Sequence, residues 1–260
     1  MIKLFEHPLS PYVQKVKIAL IEKGIPFEAA TPDFLSGGDA AFLAASPRRE
    51  VPALVDGDAT VYDSSIILEY IEDKWPTPPL LPETPIERAR ARTLEEICDT
   101  QYEAVNWGLF EVRIFGRAKG DLAAAMIARA GKQVAALNAY LDRALGGAEW
   151  FNGKQFGWAD LSVVPHVNAA AGVNGFPPPA SSGLARWLDR VLERPSVQRV
   201  VAEAAASMSG FEMLPQLVEA GMFVREYRDH RLEWMFRSGG AEVVLAGIER
   251  KTIRFSAEID

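Results

Sequence analysis

Three short segments carry residue types that could do chemistry: Ser10-Pro11 in HPLSPYVQKVKIALIEK, SPRREVPAL from Ser46 to Leu54, and VYDSSIILEY from Val61 to Tyr70. Ser10 precedes a run that reads as helical. Serine is a favoured N-cap and proline a favoured first helical residue, so Ser10 could be a cap and nothing more. The same geometry could serve a ligand. A helix N-terminus carries about half a positive charge and free N–H groups, and it stabilises a thiolate placed there. A serine hydroxyl can donate one further charge-assisted hydrogen bond to that sulfur. Pro52, at the start of a strand after a loop, is a candidate cis peptide; a trans proline at a strand edge is the alternative. Asp63 or Ser64 caps a second helix, and that helix start could also receive a small carboxylate.

The elements that must position these residues follow from periodicity and breakers. Ile2 to Phe5 reads as a strand. Val13 to Glu22 reads as a helix, with Val13, Val16 and Leu20 on one stripe, Lys15 and Lys17 off it, and Gly24 as its stop. Pro26 to Ala30, Val51 to Val55 and Ala59 to Tyr62 read as strands, the last two joined by the turn signal Asp56-Gly57. Ser65 to Lys74 reads as a helix. WPTPPLLPETP, Trp75 to Pro85, holds five prolines in eleven residues and reads as a linker. Beyond it, Leu94, Cys98, Tyr102, Val105, Leu109 and Val112 recur at three and four, as do Leu122, Met126, Val134, Leu137 and Leu141. Asp160 to Ala171, Gly183 to Leu192 and Ser196 to Ala205 complete a helical half. The expected class is a small α/β domain joined to an all-α domain. Glu226 to Phe236 could be helical and Thr252 to Ser256 a short strand; the role of the last 55 residues does not emerge from the pattern.

Composition removes several function classes. A formal charge of -7 argues against a protein that lives on phosphate backbones, so no nucleic-acid partner is expected. No apolar run approaches the roughly 20 residues of a membrane span, and the N-terminus has no signal-peptide core. One cysteine, Cys98, cannot make an internal disulfide, which favours a reducing, cytoplasmic location. His7, His166 and His230 are far apart and suggest no metal site; His166, on an apolar helix, reads as a core histidine. Gly37-Gly38 and Gly239-Gly240 lack the signature of a phosphate loop.

Taken in order, SPYVQKVKIALIEKGIPFE, SPRREVPAL and DSSIILEYIEDKWP resemble the cytosolic glutathione transferases, in the serine-type branch that includes the tau and zeta classes, bacterial relatives and bacterial glutathione-dependent etherases. The resemblance covers about residues 1 to 205. It implies a thioredoxin-like domain over 1–75, a proline-rich linker over 76–85, an all-helical domain over 86–205 and an extension over 206–260. It implies glutathione as co-substrate, no metal, and a cytoplasmic homodimer acting in detoxification. By position, Ser10 matches the residue that hydrogen-bonds the glutathione sulfur and Pro52 the cis-proline. Val51 would pair its backbone with the glutathione peptide, and Asp63 and Ser64 would hold the γ-glutamyl ammonium and carboxylate. With serine in place of cysteine at position 10, and Val13 where a second cysteine would stand, dithiol exchange is not expected there.

The chain also departs from the family pattern. Glu50 stands where Gln or Lys often meets the glycyl carboxylate; it would repel that group, and Arg48 or Arg49 could substitute. Gly157-Trp158-Ala159-Asp160 replaces a Ser/Thr-x-x-Asp capping box, so the cap lacks a side-chain acceptor and folding should weaken slightly. The electrophile would sit between the domains against the first long helix after the linker, with Tyr12, Tyr102, Trp107, Phe110 and Arg113 as candidates; for each of the helix residues, a place in the core is an equal alternative. Three functions fit: glutathione addition to an electrophile, a glutathione-dependent lyase, etherase or dehalogenase, and a non-catalytic ligand- or protein-binding member.

Overall fold

The strand Ile2–Phe5 (β1) sends Ile2 and Leu4 to one face of a sheet and Phe5 to the other, the period of two that a pleated strand imposes. The computed structural model describes residues 1–33, 38–209, 211–222, 225–227 and 229–255. Pro11–Glu22 (α1) follows β1 and stops at Gly24, whose φ of 65° costs a glycine little. Then come Phe27–Ala30 (β2), Ala40–Ala45 (α2), Ala53–Asp56 (β3), Ala59–Tyr62 (β4) and Ser64–Lys74 (α3). The strand order is β2-β1-β3-β4, with β1 parallel to β2 and antiparallel to β3, and β3 antiparallel to β4. Helix α2 falls between Ala30 and Val51, where the sequence pattern announces no element. Asp39 caps it, accepting from the Phe42 N–H at 2.8 Å, and Phe42 covers the second face of the sheet against Phe5. Six residues are too few to show a period.

The proline-rich connection is pinned rather than loose. Lys23 Nζ donates to the carbonyls of Trp75 at 2.7 Å and Pro78 at 2.8 Å and pairs with Glu72 at 2.7 Å. Glu72 in turn accepts from the N–H groups of Leu80 and Leu81, each at 3.0 Å. Thr84 then caps Pro85–Ile97 (α4), which runs through a π-helical turn, Cys98–Tyr102, into Glu103–Arg113 (α5). Gly120–Leu145 (α6), Trp158–Ala171 (α7), Gly183–Leu192 (α8) and Pro195–Ala206 (α9) complete a helical layer. The molecule is a thioredoxin-like α/β unit followed by an all-α unit. One apolar core joins them, from Leu4, Val16 and Ile67 through Leu94, Leu109 and Trp158.

The extension is folded onto this layer. It holds a 3-10 turn at Phe211–Met213, then Leu214–Glu219 (α10), Arg225–Tyr227 (β5), Asp229–Arg237 (α11), Ala241–Glu249 (α12) and Ile253–Phe255 (β6), with β5 and β6 parallel. The expected helix from Glu226 therefore starts three residues later, after a strand. The expected strand from Thr252 starts at Ile253. Gly37, Ser256 and the side chain of His230 lie outside the described residues.

The head of α7 shows why glycine stands where a hydroxyl residue was expected. A Cβ on Gly157 would meet Asn152 Nδ2 at 1.9 Å and the Leu80 carbonyl at 2.3 Å. Asn152 does the capping from the preceding loop: its Oδ1 accepts from the Ala159 N–H at 3.2 Å while its Nδ2 donates to Leu80 O at 2.6 Å. Asp160 reaches back to the Gly157 N–H at 3.1 Å and also accepts from the Phe151 N–H and Trp187 Nε1–H, each at 2.8 Å. Burial pushes its carboxyl up to about 6, although these donors pull it back.

Candidate active site

Strand register gathers the three segments. Phe5 pairs with Ala53 and Ala53 with Tyr62, so these residues lie side by side across β1, β3 and β4. The chain leaving β1 toward Ser10, the chain entering β3 through Val51-Pro52 and the chain leaving β4 into Asp63-Ser64 all emerge at that end of the sheet. The sheet pairing of β3 begins at Ala53, beyond Val51 and Pro52. The Val51-Pro52 peptide is cis.

Ser10 is half-buried at the N-cap of α1. Its Oγ accepts a long bond, 3.4 Å, from the Val13 N–H, and its hydroxyl proton has no acceptor among the described residues. Its own N–H is held by the His7 carbonyl at 2.9 Å, and burial pulls the His7 imidazole below its ordinary range. At α3, Asp63 has φ 73° and ψ 127°, and one oxygen accepts from the N–H groups of Ser65 at 3.0 Å and Ile66 at 3.3 Å. The other Asp63 oxygen, the Ser64 N–H and the Ser64 hydroxyl make no hydrogen bond with the described residues. Both helix starts therefore keep donors for an anion. Glu50 is engaged by Arg48 Nε at 3.1 Å, so its charge is offset within the loop.

The lysines read as lying off the apolar stripe are buried instead. Helix α1 is packed by α3, α7 and α9, so almost every direction around it is interior. Lys15, 0% exposed, donates to Ser65 Oγ at 3.2 Å and Glu95 Oε1 at 2.5 Å and also pairs with Asp99. Glu95 accepts further from Trp158 Nε1–H at 2.5 Å and Ser65 Oγ–H at 2.7 Å. Burial opposes the Lys15 charge, but the two carboxylates outweigh it and hold the ammonium above the ordinary lysine range. Burial likewise pushes the Asp99 carboxyl up, and Lys15 and His166 more than reverse this, leaving it below the usual range. Lys17 pairs with Glu6 at 2.6 Å and with Glu203. Sequence reasoning missed Lys15, Glu95 and Asp99; their one local sign was a lysine in a helix otherwise rich in apolar residues. His166 is in the core as expected, with Nε2 3.4 Å from Asp99 Oδ1.

The five electrophile candidates do not form one face. Tyr12 donates its hydroxyl to the Asp99 carbonyl at 2.7 Å, within the π-helical turn, where the widened helix leaves carbonyls to outside donors. Trp107 and Phe110 are half-buried on α5. Tyr102 is a correction: it has no exposed surface, its hydroxyl donates to Asn138 at 2.7 Å, and it continues the apolar stripe of Cys98 and Val105 into the core. Arg113, exposed and three residues beyond Phe110 on α5, packs its guanidinium 5.4 Å from the Phe176 ring.

Both halves of the chain match known proteins. Residues 4–79 match the glutathione S-transferase N-terminal domain and residues 123–190 the C-terminal domain. The chain is 32% identical to glutathione S-transferase Z2 of Arabidopsis thaliana over 78% of this chain and 91% of that one. It is 30% identical to glutathione S-transferase GstB of Escherichia coli K12 over 77% of this chain and 98% of that one. A glutathione S-transferase from Methylobacterium radiotolerans, solved in complex with glutathione sulfonate, shares 33% identity at a TM-score of 0.63, over 77% of this chain and 94% of that one. With both halves of the family matched in order and a relative 32% identical over 78% of this chain, the chain belongs to the glutathione S-transferase family.

Proposed function

We propose that this glutathione transferase activates the glutathione thiol at Ser10 for attack on a small, hydrophobic or aromatic electrophile. The observation that carries the reading is the meeting of Ser10, Val51-Pro52 and Asp63-Ser64 at one sheet end, with the Ser10 hydroxyl proton and the Ser64 donors uncommitted among the described residues. Domain 1–75 binds glutathione and domain 86–205 supplies the electrophile wall, joined by residues 76–85. Val51 offers backbone groups to the tripeptide as an added strand would. Ser64 receives the γ-glutamyl carboxylate, and the second oxygen of Asp63 receives its ammonium. Arg49, exposed beside the neutralised Arg48–Glu50 pair, receives the glycyl carboxylate.

Magnitudes make the step feasible. A free thiol near 8.5 is only about 3% ionised at pH 7. Lowering it to about 6.5 makes it roughly three-quarters thiolate, at a cost of about 2.7 kcal/mol. One charge-assisted hydrogen bond at about 1.5–3 kcal/mol and a helix terminus at about 0.3–1 kcal/mol supply that much. The proton leaves to solvent, the sulfur pair forms the new S–C bond, and the leaving group departs with its bonding pair, or the electrophile takes the charge in an addition. Ser10 remains a donor throughout.

Ultraviolet titration of bound glutathione tests this. The thiolate band should appear with a lowered pKa in the wild type, and Ser10→Ala should raise that pKa by about one to two units. An unchanged pKa in wild type, or no binding, would leave Ser10 a helix cap and favour a non-catalytic binding member. A substrate panel then separates conjugation from ether cleavage or dehalogenation. The site works in a cytoplasmic homodimer; the dimer is supported by Ile66 of α3 and Ile86 of α4, 58% and 61% exposed on helices bridged by Glu69 and Arg92. Sedimentation at micromolar concentration should give about twice the 28.6 kDa chain mass, and a monomer there would refute the dimer.

A further inference from the structure

A groove of about 360 Å³ lies between α6 and the segment 175–182 that leads into α8. None of its lining residues belongs to the thioredoxin-like unit or to α4 or α5. Gly131, Ala135 and Ala139 stand at one-turn intervals along α6 and leave a trough, because none has a side chain beyond Cβ. Phe176 stands over that trough at Gly131, where a Cβ would come 2.8 Å from its Cε1, and the Arg113 guanidinium holds the same ring at 5.4 Å. Pro179 stiffens the wall, so little order has to be imposed on it when a ligand enters. Volumes above roughly 300 Å³ are those of small-molecule sites.

Two polar side chains of α6 line the trough, one turn apart. Asn138 is 3% exposed. Its Oδ1 is taken by the Tyr102 hydroxyl in the core, while its Nδ2 makes no hydrogen bond with the described residues and is not sealed from the groove. A buried amide donor without an acceptor is costly, and a ligand acceptor would satisfy it. Asp142 Oδ1 accepts from the Leu184 N–H at 2.7 Å and so fixes the head of α8 to α6. Its Oδ2 makes no hydrogen bond and no ion pair among the described residues.

We propose that this groove is a second binding site, outside the glutathione chemistry, for a small, flat, uncharged molecule with a carbonyl at one end and an N–H or O–H about 6 Å away. The carbonyl accepts from Asn138 Nδ2 and the donor meets Asp142 Oδ2, while the apolar body lies on Ala135 and Ala139 beside Phe176. The spacing is that of two side chains one helical turn apart. An acidic ligand, glutathione included, is disfavoured, because its charge would meet the unpaired Asp142 carboxylate. The site stands whether or not Ser10 activates a thiol, since it shares no residue with the sheet end.

The test is titration of the full chain with 4-aminoacetophenone, acetophenone and 4-methylaniline by ligand-observed NMR, with and without glutathione. The first compound carries both poles, the second lacks the donor and the third lacks the carbonyl. The wild type should bind 4-aminoacetophenone with a Kd of about a millimolar or below, and about five- to tenfold more tightly than either analogue. Ala139 is exposed and leucine is a good helix former, so Ala139→Leu fills the trough and leaves α6 intact. It should cost about tenfold or more of the 4-aminoacetophenone affinity. Asp142→Asn keeps the oxygen that accepts from Leu184 and turns the free one into a donor. It should abolish the preference over acetophenone and keep the preference over 4-methylaniline. Glutathione should move none of these constants by more than about twofold. Absence of binding, an affinity unmoved by Ala139→Leu, or displacement of the probe by glutathione each overturns the site. A preference over acetophenone that survives Asp142→Asn, or a wild type that binds 4-methylaniline as tightly as the ketone, overturns the assigned recognition.

Discussion

Lys15→Met should lower the stability of the protein by about 3–5 kcal/mol, because it strands Glu95 and Asp99 as buried carboxylates without their cation. For a chain of this size that is roughly 10 °C in melting temperature. Asp99 in the wild type has its folded pKa held below the unfolded value near 4, so its stabilisation is complete above about pH 4 and drains as pH falls through the lower folded value. Between pH 5 and 8 it therefore adds no slope. In the variant the sign reverses. Burial without Lys15 raises the folded value of Asp99, so its stabilising state is the protonated one, present at low pH and lost as pH rises through the raised value. Asp160, pushed up to about 6, gives both proteins a common slope of that same sign, which cancels in the difference. Melting curves at pH 5 and pH 8 decide it: the gap between wild type and Lys15→Met should widen toward pH 8. A gap below about 1 kcal/mol, or one that narrows toward pH 8, would mean the Lys15 cluster is solvated and holds nothing. Because Lys15 ties α1 to Ser65 and to the π-helical turn, glutathione affinity should fall in the variant even where it remains folded.

What could be read from the sequence, and what could not, divides along the range of the causes. Strands β1 and β4, helix α8, the stop at Gly24 and the turn at Asp56-Gly57 depend on neighbours a few residues away, and their residue types announce them. The residues proposed to hold glutathione could be named because Ser10, Asp63 and Ser64 sit at helix starts and Val51-Pro52 just before a strand, each with its own chemistry. The apolar repeat from Leu94 to Val112 was legible as core, and it placed Tyr102 there more truly than the aromatic character that suggested a substrate wall. Lys15 was not legible, because its partners stand 80 and 84 residues away and only a fully enclosed helix makes a lysine turn inward. Gly108 was not legible either. Its reason is the indole of Trp234, more than a hundred residues later, in an extension whose pattern carries no family signature.

Gly157→Ser should destabilise the protein by about 2–4 kcal/mol, against the ordinary expectation that a serine at an N-cap gains roughly a few tenths of a kcal/mol over glycine. The position already has its cap. Asn152 Oδ1 accepts from the Ala159 N–H, and Asn152 Nδ2 donates to Leu80 O, so one amide joins the head of α7 to the connection between the two units. A serine Cβ would stand 1.9 Å from that amide and 2.3 Å from that carbonyl. The amide is a side chain and can turn away, at the loss of two hydrogen bonds worth about 0.5–1.5 kcal/mol each. The carbonyl is backbone and can move only with Leu80, which Glu72 and Trp158 hold at 3.0 and 2.8 Å. Pairing Gly157→Ser with Asn152→Ala should therefore recover part of the loss and not all of it. Thermal or urea unfolding of the two single variants and the double variant gives the coupling directly. A stabilised Gly157→Ser would show that the Asn152 cap is replaceable; a double variant equal to wild type would show that Leu80 yields freely. If both variants fall as expected, the glycine is the space through which the linker and α7 are joined, and the missing hydroxyl is the consequence of that junction.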